Sequence, residues 1–321
     1  MKTNKLHHPF SEDQVLKGPI VLALGFFDGV HRGHQRVLAA ARREASKRRL
    51  PLVAMTFDMA PSIMYQELKP SEVKYLTTIE AKERLMAHHG VDYLYLVQYT
   101  SKFAYQKPQE FVDNYMVGLH AEVVVAGFDY TYGKKDIANM QKLGDYARGR
   151  FDIIEVPELA FQNEKIGTGR IKGLLEEGLL EAANQALGHP YFFKGTVIHG
   201  EKRGRTLGYP TANLSFSDEI LIPAVGVYAV ECELNHRLYR GMASIGYNIT
   251  FGDNREQTVE INLLDFEEEI YGETMTVFWH AYLRPELKFD SAEALVDQLH
   301  QDAQDTAAYF DQQNLEEMNE G

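Results

Sequence analysis

Residues 20–34 read Ile20-Val21-Leu22-Ala23-Leu24-Gly25-Phe26-Phe27-Asp28-Gly29-Val30-His31-Arg32-Gly33-His34. The unbroken apolar run at the start, without polar alternation, marks a strand buried on both faces of a parallel sheet. It empties into glycines and then into a helical pattern, so free backbone N–H groups and the positive end of a helix dipole face any anion that docks there. A phosphate group is the expected guest. Gly25, Phe27, Asp28, Gly29 and Gly33 are therefore candidate nucleotide-binding positions, with Gly29 and Gly33 keeping the approach clear of side chains. His31 and His34, three apart on the helix's first turn, share one face, where each imidazole can donate a hydrogen bond to a phosphate oxygen. They are the candidate catalytic pair. The same histidines also suit two plainer roles: capping the helix, or binding zinc, for which no companion ligands are evident.

Outward from this stretch, apolar strands alternate with helical patterns. Strands are predicted at Ile20 to Leu24, Leu52 to Phe57, Tyr93 to Val97, Val123 to Ala126 and Ile153 to Val156. Helices are predicted at about 31–49, 78–89, 107–119, 136–149 and 170–186. This order implies an α/β unit of Rossmann-like build, a parallel sheet covered on both faces with ligands beyond the strand carboxyl ends. The texture changes at Leu187-Gly188-His189-Pro190, where a glycine and a proline end the helical pattern. The expected domains are thus 1–187 and 188–321. In the second, short strands at about 193–198, 226–234, 237–245, 258–265 and 274–283 predict a small antiparallel β-barrel, followed by a terminal helix over Ala292 to Phe310.

The second dense signal is Gly195-Thr196-Val197-Ile198-His199-Gly200-Glu201-Lys202-Arg203-Gly204-Arg205-Thr206-Leu207-Gly208-Tyr209-Pro210-Thr211-Ala212-Asn213-Leu214. Glycines interleaved with cations make a loop able to wrap phosphates, although the spacing is not that of a Walker A loop. A glycine-rich barrel turn reads the same way.

The 321-residue chain is 45% apolar and 25% charged, the balance of a globular protein long enough for two cores. No apolar run reaches the roughly 18 residues of a membrane span, and the polar start lacks a signal-peptide core, so the cytoplasm is the expected compartment and no membrane partner is expected. A formal net charge of -13 argues against nucleic acid as a partner. The basic run Arg42 to Arg49 is read as the solvated face of the first helix. Cys232, the only cysteine, rules out an intrachain disulfide and reads as a buried strand thiol.

Taken together and in order, the two glycine-rich runs resemble the bacterial bifunctional riboflavin kinase and FAD synthetase family. The likeness extends to Gly127-Phe128-Asp129-Tyr130-Thr131-Tyr132-Gly133, Gly226-Val227-Tyr228, Glu260 with Leu263-Leu264-Asp265-Phe266, and Leu283-Arg284-Pro285-Glu286-Leu287-Lys288-Phe289. It implies an N-terminal FMN adenylyltransferase module and a C-terminal kinase module acting on ATP, riboflavin and FMN, with FMN and FAD as products and Mg2+ as cofactor. In the kinase module it implies that Thr211 and Asn213 bind Mg2+ and nucleotide phosphate and that Glu260 is the base acting on the ribityl hydroxyl. By alternation alone, Glu260 between Val259 and Ile261 is an ordinary strand carboxylate. Gly200, Lys202, Gly204, Arg205, Gly208 and Pro210 join the nucleotide-binding candidates there. In the first module, Asp129 matches a position near nucleotide or flavin.

Two stretches of the first module depart from the family pattern, and in the kinase module Asn248-Ile249-Thr250-Phe251 stands where the family usually has proline before threonine, a change of loop stiffness more than of chemistry. Thr56-Phe57-Asp58-Met59-Ala60-Pro61 lacks the family's histidine after the second strand. Ile166-Gly167-Thr168-Gly169-Arg170-Ile171-Lys172 stands where the family is rich in hydroxyls, leaving Thr168 and Lys172 as the phosphate-binding candidates. Lysine keeps a cation but loses the planar two-pronged grip of arginine. The expectation is a bifunctional enzyme, a monomer or weak homo-oligomer. The alternatives are a kinase whose first module transfers adenylyl slowly or not at all, and a flavin- or nucleotide-binding regulator without turnover.

Overall fold

The computed structural model describes residues 1–65, 72–161, 164–200, 208–247 and 257–320, in two units, Met1–Arg170 and Ile171–Gly321. In the first unit, β1 (Lys2–Leu6), β2 (Ile20–Leu24), β3 (Leu52–Phe57), β4 (Tyr93–Val97), β5 (Ala121–Gly127) and β6 (Asp152–Val156) form one parallel sheet in the order β1-β4-β3-β2-β5-β6. Every residue of β2 and β3 is buried, as the unbroken apolar run of β2 and that of β3, interrupted only by Thr56, require. From β2 the chain winds through β3 and β4 on one side, then returns to place β5 and β6 on the other. The winding therefore reverses between β2 and β5, and the crevice at that reversal lies beyond their carboxyl ends. Residues 25–34 leave one of those ends and residues 128–133 the other.

Strand β1 is not among the predicted strands. Its residues Lys2-Thr3-Asn4-Lys5-Leu6 are polar, with only Leu6 buried, because β1 is an edge strand, where polar residues shield the unpaired rim. Helix α1 (Arg32–Arg48) follows β2 and buries Val37, Leu38, Ala41 and Ala45, while Arg42, Arg43, Lys47 and Arg49 are exposed. The basic run is thus a solvated face, with Arg42 paired to Asp92 and Arg48 to Glu44, Glu122 and Asp152. The helix expected over 170–186 is two helices, Thr168–Glu176 and Leu180–Leu187. Gly178, at φ +76°, breaks it: its N–H donates to Leu175 O and that of Leu179 to Leu174 O, the double bond of a glycine-capped helix end.

Later in the first unit's chain comes a short antiparallel hairpin of β7 (Ala160–Phe161) and β8 (Glu164–Lys165). In the second unit, β9 (Tyr191–Ile198), β10 (Ala212–Phe216), β11 (Gly226–Leu234), β12 (Arg237–Tyr247), β13 (Gln257–Leu263) and β14 (Thr274–Arg284) close into a six-stranded antiparallel barrel ordered β10-β13-β12-β11-β14-β9. The strand missed by periodicity is β10, whose Ala-Asn-Leu-Ser-Phe is too short to establish alternation. Trp279, Tyr228, Tyr191 and Phe193 fill the barrel, and Cys232 is buried on β11 as expected. The terminal helix runs from Ala292 to Glu320, past the expected end at Phe310. It is anchored by Arg284, whose guanidinium donates to both carboxylate oxygens of buried Asp302 at 2.7 and 2.6 Å, and by Phe310 against Ala229 and Ala281. Among the described residues no helix is long and apolar enough to cross a membrane.

Candidate functional site

In the first unit the turn after β2 is a strained loop. Phe27 adopts φ +55° and the β-branched Val30 φ +39°, conformations that L residues avoid. The glycines follow from this geometry: a Cβ on Gly25 would come within 2.9 Å of the Phe27 ring, and Gly29 has φ +76°. Side chains from the segment before helix Ile79–His88 hold the loop. Asp28, 1% exposed, accepts at Oδ1 from the N–H groups of Leu76 and Thr77 and from the Thr77 hydroxyl, whose oxygen in turn accepts from Gly29 N–H at 3.0 Å. The Asp28 carboxylate is therefore turned inward, bracing the turn.

His31 caps α1: its Nδ1 accepts from the His34 N–H at 3.3 Å. In the neutral ring the proton must then sit on Nε2. The two imidazoles stack, with centroids 3.6 Å apart. Burial pushes His31 down to about 4, against the pull of Asp129 and with a further push from Lys165. Burial, then the neighbouring His31 and Lys82, hold His34 well below its ordinary value, and its Nδ1 is buried without a hydrogen-bond partner among the described residues. Near neutral pH both are uncharged donors. A Cβ on Gly33 would press to 3.1 Å from the His31 ring.

The segment 166–168 crosses the start of α1, with Ile166 O near Gly33 and Thr168 Oγ1 donating to Asp28 O at 3.4 Å. Lys172 lies one turn further along the helix that Thr168 begins. Asp129, exposed beyond β5, pairs with Lys165, whose ammonium also lies 4.9 Å from the Phe128 ring centroid. Lys165 is a residue the motifs did not single out. Beyond the ends of β3, β4 and β5, a cavity of about 100 Å³ is lined by Phe57, Tyr99, Phe103, Phe111, Tyr130 and Tyr132. The Tyr132 hydroxyl is buried with no hydrogen-bond partner among the described residues, and burial pushes it and Tyr130 upward.

In the barrel, Asn213 on β10 pairs in register with Glu260 on β13. Thr211 Oγ1 donates to Glu260 Oε2 at 3.2 Å. A Cβ on Gly200 would fall 2.1 Å from Asn213 Nδ2, so this glycine makes room for the amide. Gly208, at φ +83°, and Pro210 are exposed; the Pro210 carbonyl accepts from Asn262 Nδ2 at 2.8 Å. Lys202, Gly204 and Arg205 lie outside the described residues, as does the stretch 248–251. Two cavities meet at Thr211. One, of about 270 Å³, is walled by Val197, Ala212, Ile261, Phe266 and Tyr271. The other, of about 330 Å³, contains Glu260, Ser244, Tyr209, Arg284 and, from the terminal helix, Leu299 and Asp302. Tyr209 also contacts His300 on that helix. Thr211 and Asn213 offer hard oxygen donors of the kind Mg2+ takes. No group of three or more His, Cys, Asp or Glu side chains among the described residues is arranged to hold a metal. A cation here would draw its remaining ligands from phosphate and water, as Mg2+ commonly does.

The family model for FAD synthetase matches residues 13–170 and that for riboflavin kinase residues 187–310. The bifunctional riboflavin kinase/FMN adenylyltransferase of Listeria monocytogenes is 50% identical over 310 residues, covering 97% of this chain and 98% of its own. That of Bacillus subtilis is 39% identical, with 97% and 98% covered. A crystal structure described as a macrolide-efflux protein from Streptococcus pneumoniae superposes with a TM-score of 0.87 at 38% identity, over 95% of this chain and 99% of that one. By both family models and by full-length likeness, the chain belongs to the bifunctional riboflavin kinase/FMN adenylyltransferase family.

Proposed function

We propose that the chain phosphorylates riboflavin to FMN with ATP, and adenylylates FMN with a second ATP to give FAD and pyrophosphate. The observation that carries the reading is the joint at Thr211, which lines both cavities and donates its hydroxyl to the Glu260 carboxylate of one of them. Riboflavin takes the cavity that contains Glu260 and ATP the other. Glu260 accepts the proton of the ribityl hydroxyl as its oxygen bonds to the γ-phosphorus and ADP departs. Thr211 and Asn213 would hold Mg2+, which when bound neutralises charge on the nucleotide phosphates. Gly200, Lys202, Gly204, Arg205, Gly208 and Pro210 belong to the loop that covers those phosphates. The functional division falls at 187/188.

In the first unit, an oxygen of the FMN phosphate attacks the α-phosphorus of ATP and the bond to the β-phosphate breaks. No proton needs removal, so the task is alignment and charge stabilisation. The neutral His31, through Nε2–H, and His34 donate to the transferring phosphate. Gly25, Phe27, Gly29 and Gly33 let it approach the backbone, while Asp28 acts by fixing the loop. Thr168, Lys172 and Lys165 supply further donors, with Asp129 holding Lys165. The flavin ring enters the aromatic cavity with its polar, carbonyl-bearing edge toward Tyr132, where it gives the Tyr132 hydroxyl a partner. Ligands are these small molecules, the enzyme works in the cytoplasm, and it is a monomer or weak homo-oligomer.

The test is a time course of riboflavin, FMN and FAD with purified protein, ATP and Mg2+. FMN rising first and FAD after it is the expected result. FMN that accumulates without FAD leaves the kinase-only alternative, which the loss of the family's hydroxyls at 166–169 and of its arginine at Lys172 favours. Riboflavin bound but never phosphorylated overturns the enzymatic reading.

A further inference from the structure

Lys82 is 3% exposed, on the same helix face as the buried Leu85 and Met86. Its Nζ donates to Phe26 O at 2.8 Å and to Thr56 Oγ1 at 3.4 Å, and lies 4.3 Å from the Phe26 ring centroid. Thr56 Oγ1 donates to the same Phe26 carbonyl at 2.7 Å. One carbonyl, at the exit of β2, is thus held twice from inside the fold. No carboxylate touches the ammonium among the described residues, although Asp28 and Asp58 face it and stabilise its charge. Burial outweighs them and brings Lys82 down to about 8. An enclosed cation without a contacting counter-charge costs several kcal/mol, and an apolar side chain of similar length would fill the space without that cost. Stability alone does not account for it.

What Lys82 does face is the phosphate loop. In a trans peptide the C=O and the next N–H point in opposite directions. Pinning the Phe26 carbonyl inward therefore turns the Phe27 N–H away from Lys82, and no acceptor among the described residues takes it. Phe27 is the residue at φ +55° with which the strained turn begins. We propose that Lys82 is a positioning residue for adenylyl transfer: it fixes the Phe26–Phe27 peptide so that the loop presents its N–H groups, and it places a positive charge behind the loop that binds the nucleotide phosphates. In surroundings of low dielectric that charge reaches across the loop wall. His34 already feels it, since Lys82 helps to hold that imidazole neutral.

The inference rests on the adenylyl-transfer reading of the first unit, and the test separates the two. In the full chain, Lys82→Met lowers kcat for FAD formation from FMN and ATP at least ~10-fold. The KM for ATP changes less than kcat does, and FMN formation from riboflavin stays at the wild-type rate. Lys82→Arg recovers part of the loss. In histidine-labelled protein followed by NMR, the His34 titration moves to higher pH in Lys82→Met. If Lys82→Met loses the wild-type unfolding transition, Lys82→Gln takes its place under the same criteria. FAD formation at the wild-type rate in the charge-free variant, or an unmoved His34 titration, overturns the proposal. A wild-type chain that makes no FAD instead sinks the adenylyl-transfer reading, and the His34 titration then still decides whether Lys82 acts on the loop.

Discussion

His31 and His34 stack with ring centroids 3.6 Å apart and planes at 18°, and the Nδ1 of His31 accepts the N–H of His34. Capping and ligand binding, which compete as readings of the sequence, use different atoms of one ring: Nδ1 caps the helix and Nε2 keeps its proton for a ligand. His31→Ala therefore removes both, whereas His31→Asn keeps an acceptor for the cap. Both variants are expected to lose FAD formation by ~10²–10³-fold, with FMN formation unchanged. Equal loss of the two activities by the folded Asn variant would contradict the division of labour between the units.

The same ring sets an acid limit on stability. His31 titrates near 6.5 in the unfolded chain and at about 4 when folded. Between those values the unfolded chain binds more protons, so stability falls as pH drops through that window. The contribution of neutral His31 is complete above about pH 6.5, has lost about 2 kcal/mol by pH 5, and is gone below about pH 4. Urea unfolding at pH 7.5 and pH 5 checks this: wild type should lose more stability between the two than His31→Asn does. Parallel losses would mean that His31 is not held neutral by its surroundings.

The buried strands β2, β3 and β4 were legible to the residue, because an apolar run bounded by turn residues, interrupted only by Thr56 in β3, has one reading in an α/β pattern. The edge strand β1 was not, since its polar sequence answers to its position at the rim. The loop glycines and both histidines announced themselves by local motif. Lys165 did not, because its relation to Asp129 exists only after β5 and the hairpin fold together. Lys82 left a signal that could have been read: a lysine in the apolar stripe of a helix, with Leu85 and Met86 three and four residues on. Asp302 left the same kind of trace beside Thr306 and Phe310.

Glu260 is tested by the smallest change available. Glu260→Gln keeps an oxygen for the Thr211 hydroxyl but cannot take a proton, and FMN formation should fall ~10²–10⁴-fold. Riboflavin binding, followed by flavin fluorescence, should persist, as should FAD formation from supplied FMN. Gly200→Ala makes a complementary test, since its methyl would occupy the space of the Asn213 amide; the KM for ATP should rise in the kinase reaction alone. A Glu260→Gln enzyme with wild-type kcat would remove the base from the mechanism.

The Arg284–Asp302 pair joins the last barrel strand to the terminal helix at the wall of the larger cavity. Asp302→Ala leaves the guanidinium, 16% exposed, without its carboxylate, and should cost about 3–5 kcal/mol. The double change Arg284→Met with Asp302→Leu should recover most of that stability, because an apolar pair carries no stranded charge. Riboflavin KM is expected to rise in both, since both lose the polar wall. Denaturant unfolding and kinase kinetics together check this. A double variant as unstable as Asp302→Ala would show that the pair does more than anchor the helix.

Tyr132 carries a hydroxyl that is buried with no hydrogen-bond partner among the described residues, at the wall of the aromatic cavity in the first unit. An unpaired buried hydroxyl carries a desolvation cost with no bond in return, so Tyr132→Phe should leave the ligand-free protein as stable or more stable, by up to about 1 kcal/mol. If the flavin supplies the missing partner, the same substitution removes a hydrogen bond from the complex alone. The KM for FMN in FAD formation should then rise ~5- to 10-fold, in line with a net bond of about 1 kcal/mol, with riboflavin phosphorylation untouched. A structural hydroxyl predicts the reverse on both counts, with lower stability and an unchanged KM. Unfolding without ligand and kinetics with varied FMN therefore tell a flavin-binding tyrosine from a core one.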